Sequence, residues 1–114
     1  MITLTDILLD RKKEKTKYFQ KPLFWTKIIK KVVKEFLPDA RVFLFGSVIE
    51  DKATLASDID VLVTSFQMPK RQEDRAKIKA KIWEKVGLYS PFEIHLVDRK
   101  QFLWYKHFTK LAEI

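Results

Sequence analysis

The chain reads as an α/β (α+β) domain in which a small mixed sheet of about three strands is flanked by helices. Three observations predict it. Short runs rich in β-branched and aromatic residues, at 41–45, 58–64 and 92–97, have the length and alternation of strands. Two longer stretches, 23–37 and 71–86, instead repeat apolar residues at three-four spacing, the signature of amphipathic helices. The resulting order is helix, strand, strand, helix, strand, helix, with no internal repeat and no low-complexity segment.

Composition bounds the rest. The 114 residues suffice for one core, so a single domain is expected over residues 1–114, burying roughly two-thirds of the surface its unfolded form exposes. With 46% hydrophobic and 33% charged residues, the composition is that of an ordinary soluble globular protein. No apolar run approaches the roughly 18 residues that span a bilayer, and the N-terminus lacks a secretory apolar core, so no membrane association and a cytoplasmic location are expected. The absence of cysteine excludes a disulfide framework, a zinc thiolate site and a thiol nucleophile. Any metal must be held by oxygen or imidazole. The net charge of +8 favours anionic partners, although Lys-rich solvated helix faces produce the same balance.

In chain order, residues 1–22 read as an N-terminal helix or arm, with Leu4, Ile7, Leu8 and Tyr18 as one stripe interrupted by the basic cluster Arg11-Lys12-Lys13-Glu14-Lys15. Pro22 breaks it. In 23–37, Trp25, Ile28, Ile29, Val32, Val33, Phe36 and Leu37 form the apolar stripe, and Lys27, Lys30, Lys31 and Lys34 the opposite face. Pro38-Asp39-Ala40 ends that helix. The run 41–45 is apolar on both faces, as a strand internal to a sheet should be. Gly46-Ser47 terminates it, and a polar connector, 50–57, leads to the second strand. There Ile59, Val61 and Val63 share one face; Asp58, Asp60 and Leu62 share the other. The helix 71–86 carries Ile78, Ile82 and Val86 and stops at Gly87. A third strand, 92–97, sets Phe92, Ile94 and Leu96 against Glu93, His95 and Val97. Asp98 with Gln101 forms a capping box for a last helix whose Phe102, Leu103, Trp104, Tyr105, Phe108 and Leu111 exceed what one stripe requires.

The chemistry concentrates in few residues. Asp58 and Asp60, two apart on a strand, leave the same face with Cα atoms roughly 6.6 Å apart. Carboxylates so placed can converge on divalent ions of the kind used in phosphoryl transfer, and a metal offsets their mutual repulsion. The pattern Asp-x-Asp is equally that of solvated acids at a strand edge. Gly46 lets the backbone approach a ligand, a helical turn at Val48–Asp51 would present amides to phosphate, and Ser47 adds a hydroxyl. The chain has only two glycines, which points to a specific backbone role for each. Glu93 is the candidate third acid, which a neighbouring strand can bring beside Asp58 and Asp60. His95 shares its face, either orienting a substrate or as an ordinary half-exposed strand histidine.

Taken together, Gly46-Ser47, the Asp58-Ile59-Asp60 triplet beginning twelve residues after the glycine, and an acid on the strand after the next helix resemble the DNA polymerase β superfamily. More narrowly they resemble its minimal nucleotidyltransferase group, over roughly 23–97. The resemblance implies a polymerase β-like nucleotidyltransferase fold and an enzyme that transfers a nucleoside monophosphate, AMP from ATP, to an acceptor hydroxyl. It implies two magnesium ions held by Asp58, Asp60 and Glu93, with Gly46 and Ser47 on the nucleotide's phosphates. It also implies a small helical HEPN-type protein as partner in a toxin-antitoxin pair, to which the aromatic surplus of the last helix adds the alternative of a homodimer. Where relatives often carry an arginine and a second glycine, this chain has Val48-Ile49-Glu50-Asp51, leaving Lys52 to bind the nucleotide's phosphates in the arginine's place, as a point charge rather than a bidentate fork. Two other readings therefore stand beside the enzyme: a non-catalytic nucleotide- or partner-binding module of the same fold, and a nucleic-acid-binding protein acting through its basic helix faces.

Overall fold

A capping box starts the chain's first helix. The Thr3 hydroxyl accepts from the Asp6 amide at 3.2 Å while the Asp6 carboxylate accepts from the Thr3 amide at 3.0 Å, opening α1 (Leu4–Gln20). These hydrogen bonds hold the Asp6 carboxyl below the usual carboxylate range. The computed structural model describes residues 1–54 and 56–114, with the side chains of residues 11–13 set aside. The basic cluster beginning at Arg11 therefore falls partly outside the described residues, as does Leu55 of the polar connector. The α1 backbone runs through that cluster without interruption. The expected apolar stripe does not form: Leu4, Ile7 and Leu8 are exposed, and Tyr18 alone of the four is buried. The reason is geometric, since residues 1–10 stand clear of the body and only the last turns of α1 reach it.

Pro22 ends one helix and begins the next. It cannot donate to the α1 ladder, but its fixed φ suits the first position of α2 (Pro22–Phe36), so the two helices meet at Lys21. The Trp25 indole donates to the Lys17 carbonyl at 3.3 Å and its ring packs against Tyr18. After α2 come β1 (Arg41–Phe45), a single 3₁₀ turn at Gly46–Val48, β2 (Ile59–Thr64), α3 (Gln72–Val86), β3 (Phe92–Val97), α4 (Arg99–Phe108) and β4 (Ala112–Glu113).

The sheet has four strands in the order β3-β2-β1-β4. β1 is antiparallel to both β2 and β4, and β2 is parallel to β3. The expected three strands are present, with β1 internal as its two apolar faces require. The fourth is an addition of two residues, fastened by Arg41, whose guanidinium donates to both Glu113 carboxylate oxygens at 2.8 and 2.9 Å. That pairing draws the Glu113 carboxyl down and pushes the Arg41 guanidinium up from their ordinary values. The last helix stops at Phe108, so Leu111 lies beyond it.

Strand alternation sorts the core into two layers. Val42, Leu44, Ile59, Val61, Val63, Phe92, Ile94 and Leu96 face α2 and α3, meeting Ile29, Val32, Val33, Ile78 and Ile82. On the opposite face Phe43, Leu62 and Val97 meet Phe102 of α4. Asp98 caps α4 as expected, accepting from the Gln101 amide at 2.8 Å while the Gln101 side chain accepts from the Asp98 amide at 3.0 Å. The larger layer excludes water from one side of the sheet. The smaller layer covers only part of the other, leaving its remaining row for polar groups.

Candidate active site

Strand register builds the site. β1, β2 and β3 place Phe45 opposite Asp60 and Asp60 opposite Glu93, one cross-strand row on the α4 face. The next row on that face is Phe43, Leu62 and His95. α4 covers Phe43 and Leu62 of the second row with Phe102 and meets Phe45 of the first with Tyr105, leaving Asp60, Glu93 and part of His95 accessible. Parallel pairing of β2 and β3 is what brings two carboxylates from strands separated by a whole helix side by side.

Asp60 is half-buried, with its side chain 23% exposed, and Glu93 is 54% exposed. His95 Nε2 lies 3.3 Å from Asp60 Oδ1 and 3.7 Å from Glu93 Oε1. One ligand atom from each of Asp60, Glu93 and His95 falls within 4.8 Å of the others. This donor set fits a divalent cation: two carboxylates and an imidazole converge at one partly exposed point, the arrangement hard and borderline ions accept. Without a cation the two acids face each other across adjacent strands, where like charges destabilise. Asp58 sits one residue before β2, exposed, and is not part of this group of three. The adjoining Ile59 amide donates to the Pro91 carbonyl at 2.7 Å, which anchors the base of Asp58 to the turn before β3.

Gly46 is built into the same corner. Its φ is +77°, a left-handed value, and a Cβ there would lie 2.5 Å from Asp60 Oδ2. The glycine is required twice, once by backbone conformation and once by the carboxylate lying against it. The chain then turns: the Ile49 and Glu50 amides both donate to the Gly46 carbonyl at 3.1 Å, and the Lys52 amide to the Ser47 carbonyl at 2.9 Å. A helical turn is present, but it is a 3₁₀ turn at Gly46–Val48 that begins two residues before the expected start at Val48 and includes the glycine itself. Its first amides have no carbonyl within the turn to bond. The Ser47 side chain is half-buried and makes no hydrogen bond among the described residues. Lys52, Glu50 and Asp51 are exposed, and Asp51 closes the turn at φ +58°.

Aromatic residues wall the site in. Phe45 packs edge-on to His95 with ring centroids 5.1 Å apart and to Tyr105 at 5.6 Å. The sequence alone assigns neither Phe45 nor Tyr105 to the site. A signal for Phe45 exists in strand alternation, which puts it on the face of Phe43 and not of Leu44. None exists for Tyr105, whose place depends on the angle at which α4 crosses the sheet.

A glycine turn abutting a carboxylate row on a mixed sheet is an arrangement that can take phosphate and a divalent cation side by side. The comparisons with known proteins give the family. Residues 26–113 match the family model of the nucleotidyltransferase domain, and the chain belongs to that family. It is similar to the crystal structure of a candidate nucleotidyltransferase, with a TM-score of 0.64 and 32% identity, the match covering 77% of this chain and 95% of the other. A crystal structure of a candidate nucleotidyltransferase from Sulfolobus solfataricus has the same fold, with a TM-score of 0.62, 18% identity and coverage of 88% and 85%. No curated protein matches the chain significantly. No helix among the described residues is long and apolar enough to cross a membrane.

Proposed function

We propose that this nucleotidyltransferase moves AMP from ATP to an acceptor hydroxyl and releases pyrophosphate. The acceptor oxygen forms a bond to the α-phosphorus while the bond from that phosphorus to the bridging oxygen breaks. Pyrophosphate leaves with the electron pair, and the acceptor's proton is released to solvent. The observation that carries this reading is the register that sets Asp60 beside Glu93 with Gly46 against the Asp60 carboxylate.

Asp58, Asp60 and Glu93 would hold divalent metal, two magnesium ions on the family pattern, which when bound neutralises charge on the attacking and leaving oxygens. The chain's own groups supply the rest. Gly46 lets the turn lie close to the acids, the first amides of the turn and the Ser47 hydroxyl donate to phosphate oxygens, and Lys52 adds a positive charge. We take the acceptor to be a hydroxyl on a small helical partner of HEPN type, as in a toxin-antitoxin pair. Exposed Leu103, Trp104 and Phe108 extend from the Tyr105 wall of the site and offer a face for such a partner or for a second copy.

The test is transfer from ATP labelled at the α-phosphate, with magnesium, to a copurified partner. Label should appear on the partner and be lost in Asp58→Ala and Asp60→Ala. Absence of transfer to every helical partner that copurifies would overturn the reading. One observation favours a second reading, a module that binds nucleotide without turnover: exposed Glu50 and Asp51 stand in the turn where a cation would steady a transferring phosphate. Under that reading ATP is retained by the chain and no label moves.

A further inference from the structure

We propose that His95 is itself a metal ligand, which makes this a mixed carboxylate and imidazole centre that prefers a borderline transition-metal ion to magnesium. The inference rests on the nucleotidyl-transfer reading only in placing the ion at the same acids. Three observations carry it. Strand alternation puts His95 on the face of Glu93, and parallel register sets it one row from Asp60, so its direction is dictated by the sheet. Its Nε2 stands between the acids, 3.3 Å from Asp60 Oδ1 and 3.7 Å from Glu93 Oε1. Ligands about 2.1 Å from one ion lie about 3 Å apart when adjacent and about 4.2 Å apart when opposite. Both His95 distances fall within that window, and the three ligand atoms all lie within 4.8 Å of one another.

The ring is held for this role. Phe45 packs against it at 5.1 Å and Tyr105 at 6.2 Å, and its side chain is 24% exposed. Ligation takes the tautomer with the proton on Nδ1, which turns the Nε2 lone pair toward the acids. Imidazole suits zinc, iron, copper and nickel and is a poor donor to magnesium, which takes carboxylates and water. Manganese takes the same carboxylates, also accepts imidazole, and reads the site through its paramagnetism. His95 therefore sets metal preference while the carboxylates supply charge.

The experiment uses the untagged full chain with manganese as the only metal and no nucleotide. Pulsed electron paramagnetic resonance of the bound ion should show nitrogen modulation. The modulation should vanish in His95→Gln and survive in His107→Gln, the chain's other histidine being exposed on α4. Manganese affinity should fall at least about tenfold in His95→Gln, the scale lost when even an outer partner of a metal ligand is removed. Magnesium affinity, read by competition, should change less than about twofold on the same reasoning. Bound manganese without nitrogen modulation in the unaltered chain overturns the proposal, and that result needs no variant to fold. Modulation that persists in His95→Gln, or no manganese binding at all, overturns it too. A positive nitrogen signal without nucleotidyl transfer would remove the transfer reading and leave His95 as ligand; transfer with magnesium and no nitrogen signal would do the reverse.

Discussion

Asp60 governs what its neighbours can be. Gly46→Ala would place a methyl group 2.5 Å from Asp60 Oδ2 and force alanine to φ +77°, a left-handed conformation that destabilises by about 1 to 2 kcal/mol. The carboxylate can swing aside because it is half-buried, so the larger effect falls on the site. Melting should shift by a few degrees on that cost, and metal binding and label transfer should fall much further. Gly87→Ala is the matched control. There φ is +114° and a Cβ would lie 2.7 Å from the Tyr18 hydroxyl, which belongs to the core layer on the other face of the sheet from the acids. It should lose about 1 to 3 kcal/mol in urea unfolding and leave manganese affinity unchanged. Both glycines can be picked out from the sequence because they are the only two, and Gly46-Ser47 between two strands already suggests a ligand turn. What each glycine touches is not legible there, since Asp60 and Tyr18 reach them through tertiary packing.

Among the elements, α1 is the one whose attachment is narrowest. Its buried anchor is Tyr18, whose hydroxyl donates to the Val86 carbonyl at the end of α3 and whose ring meets Trp25 and Phe92. Tyr18→Phe leaves that carbonyl without its partner and should lower stability by about 1 to 3 kcal/mol in denaturant unfolding. Tyr18 belongs to the α2 and α3 side of the sheet, so metal affinity should stay unchanged. A second tie joins the end of α2 to the loop after β2: Asp39 accepts from the Ser65 hydroxyl and from the Phe66 amide at 2.9 Å. The Ser65 bond, then the Phe66 bond, hold the Asp39 carboxyl below the usual range. A depressed carboxylate contributes stability that is present above its unfolded value and lost as pH falls through its folded one. The stability difference between the unaltered chain and Asp39→Asn should therefore be full near neutrality and shrink below about pH 4, as read by urea midpoints across pH. The helices α2, α3 and α4 and strands β1 to β3 are legible because periodicity and caps announce them. β4 is not, because two residues carry no period and Ala112–Glu113 is a strand only by pairing with Phe43 and Leu44. The stripe expected on α1 fails for the complementary reason: periodicity marks an amphipathic face and says nothing of whether the body reaches it.

At the scale of the molecule, the sheet separates two functions that net charge alone would confuse. Three of the α2 lysines, Lys27, Lys31 and Lys34, are exposed, while Lys30 donates to the Ile114 carbonyl at 2.6 Å and is tied to the chain's end. All four ride on the helix that covers the face of Val61 and Val63, whereas Asp60, Glu93 and His95 leave the opposite face. A buried sheet thus stands between the basic stripe and the acids. If the activity resides in the carboxylate row, removing the three exposed charges together should leave nucleotidyl transfer and manganese affinity within about twofold, because such charges are screened over about 8 to 10 Å in physiological salt. Folding should be equally indifferent, since exposed lysines away from buried networks alter stability by about 0.5 kcal/mol or less. A nucleic-acid-binding protein would behave in the opposite way. Every lysine withdrawn from a phosphate leaves fewer counterions to release on binding, so the triple glutamine variant would bind more weakly and with a salt slope shallower by about 0.9 for each phosphate no longer neutralised. Measuring transfer and RNA retention on the same preparation separates the two. Transfer that survives Lys27→Gln, Lys31→Gln and Lys34→Gln and is abolished by Asp60→Ala places the activity on the α4 face. Loss of transfer on removing the lysines, with the fold intact, would mean that the substrate spans both faces and that the carboxylate row is only part of its site.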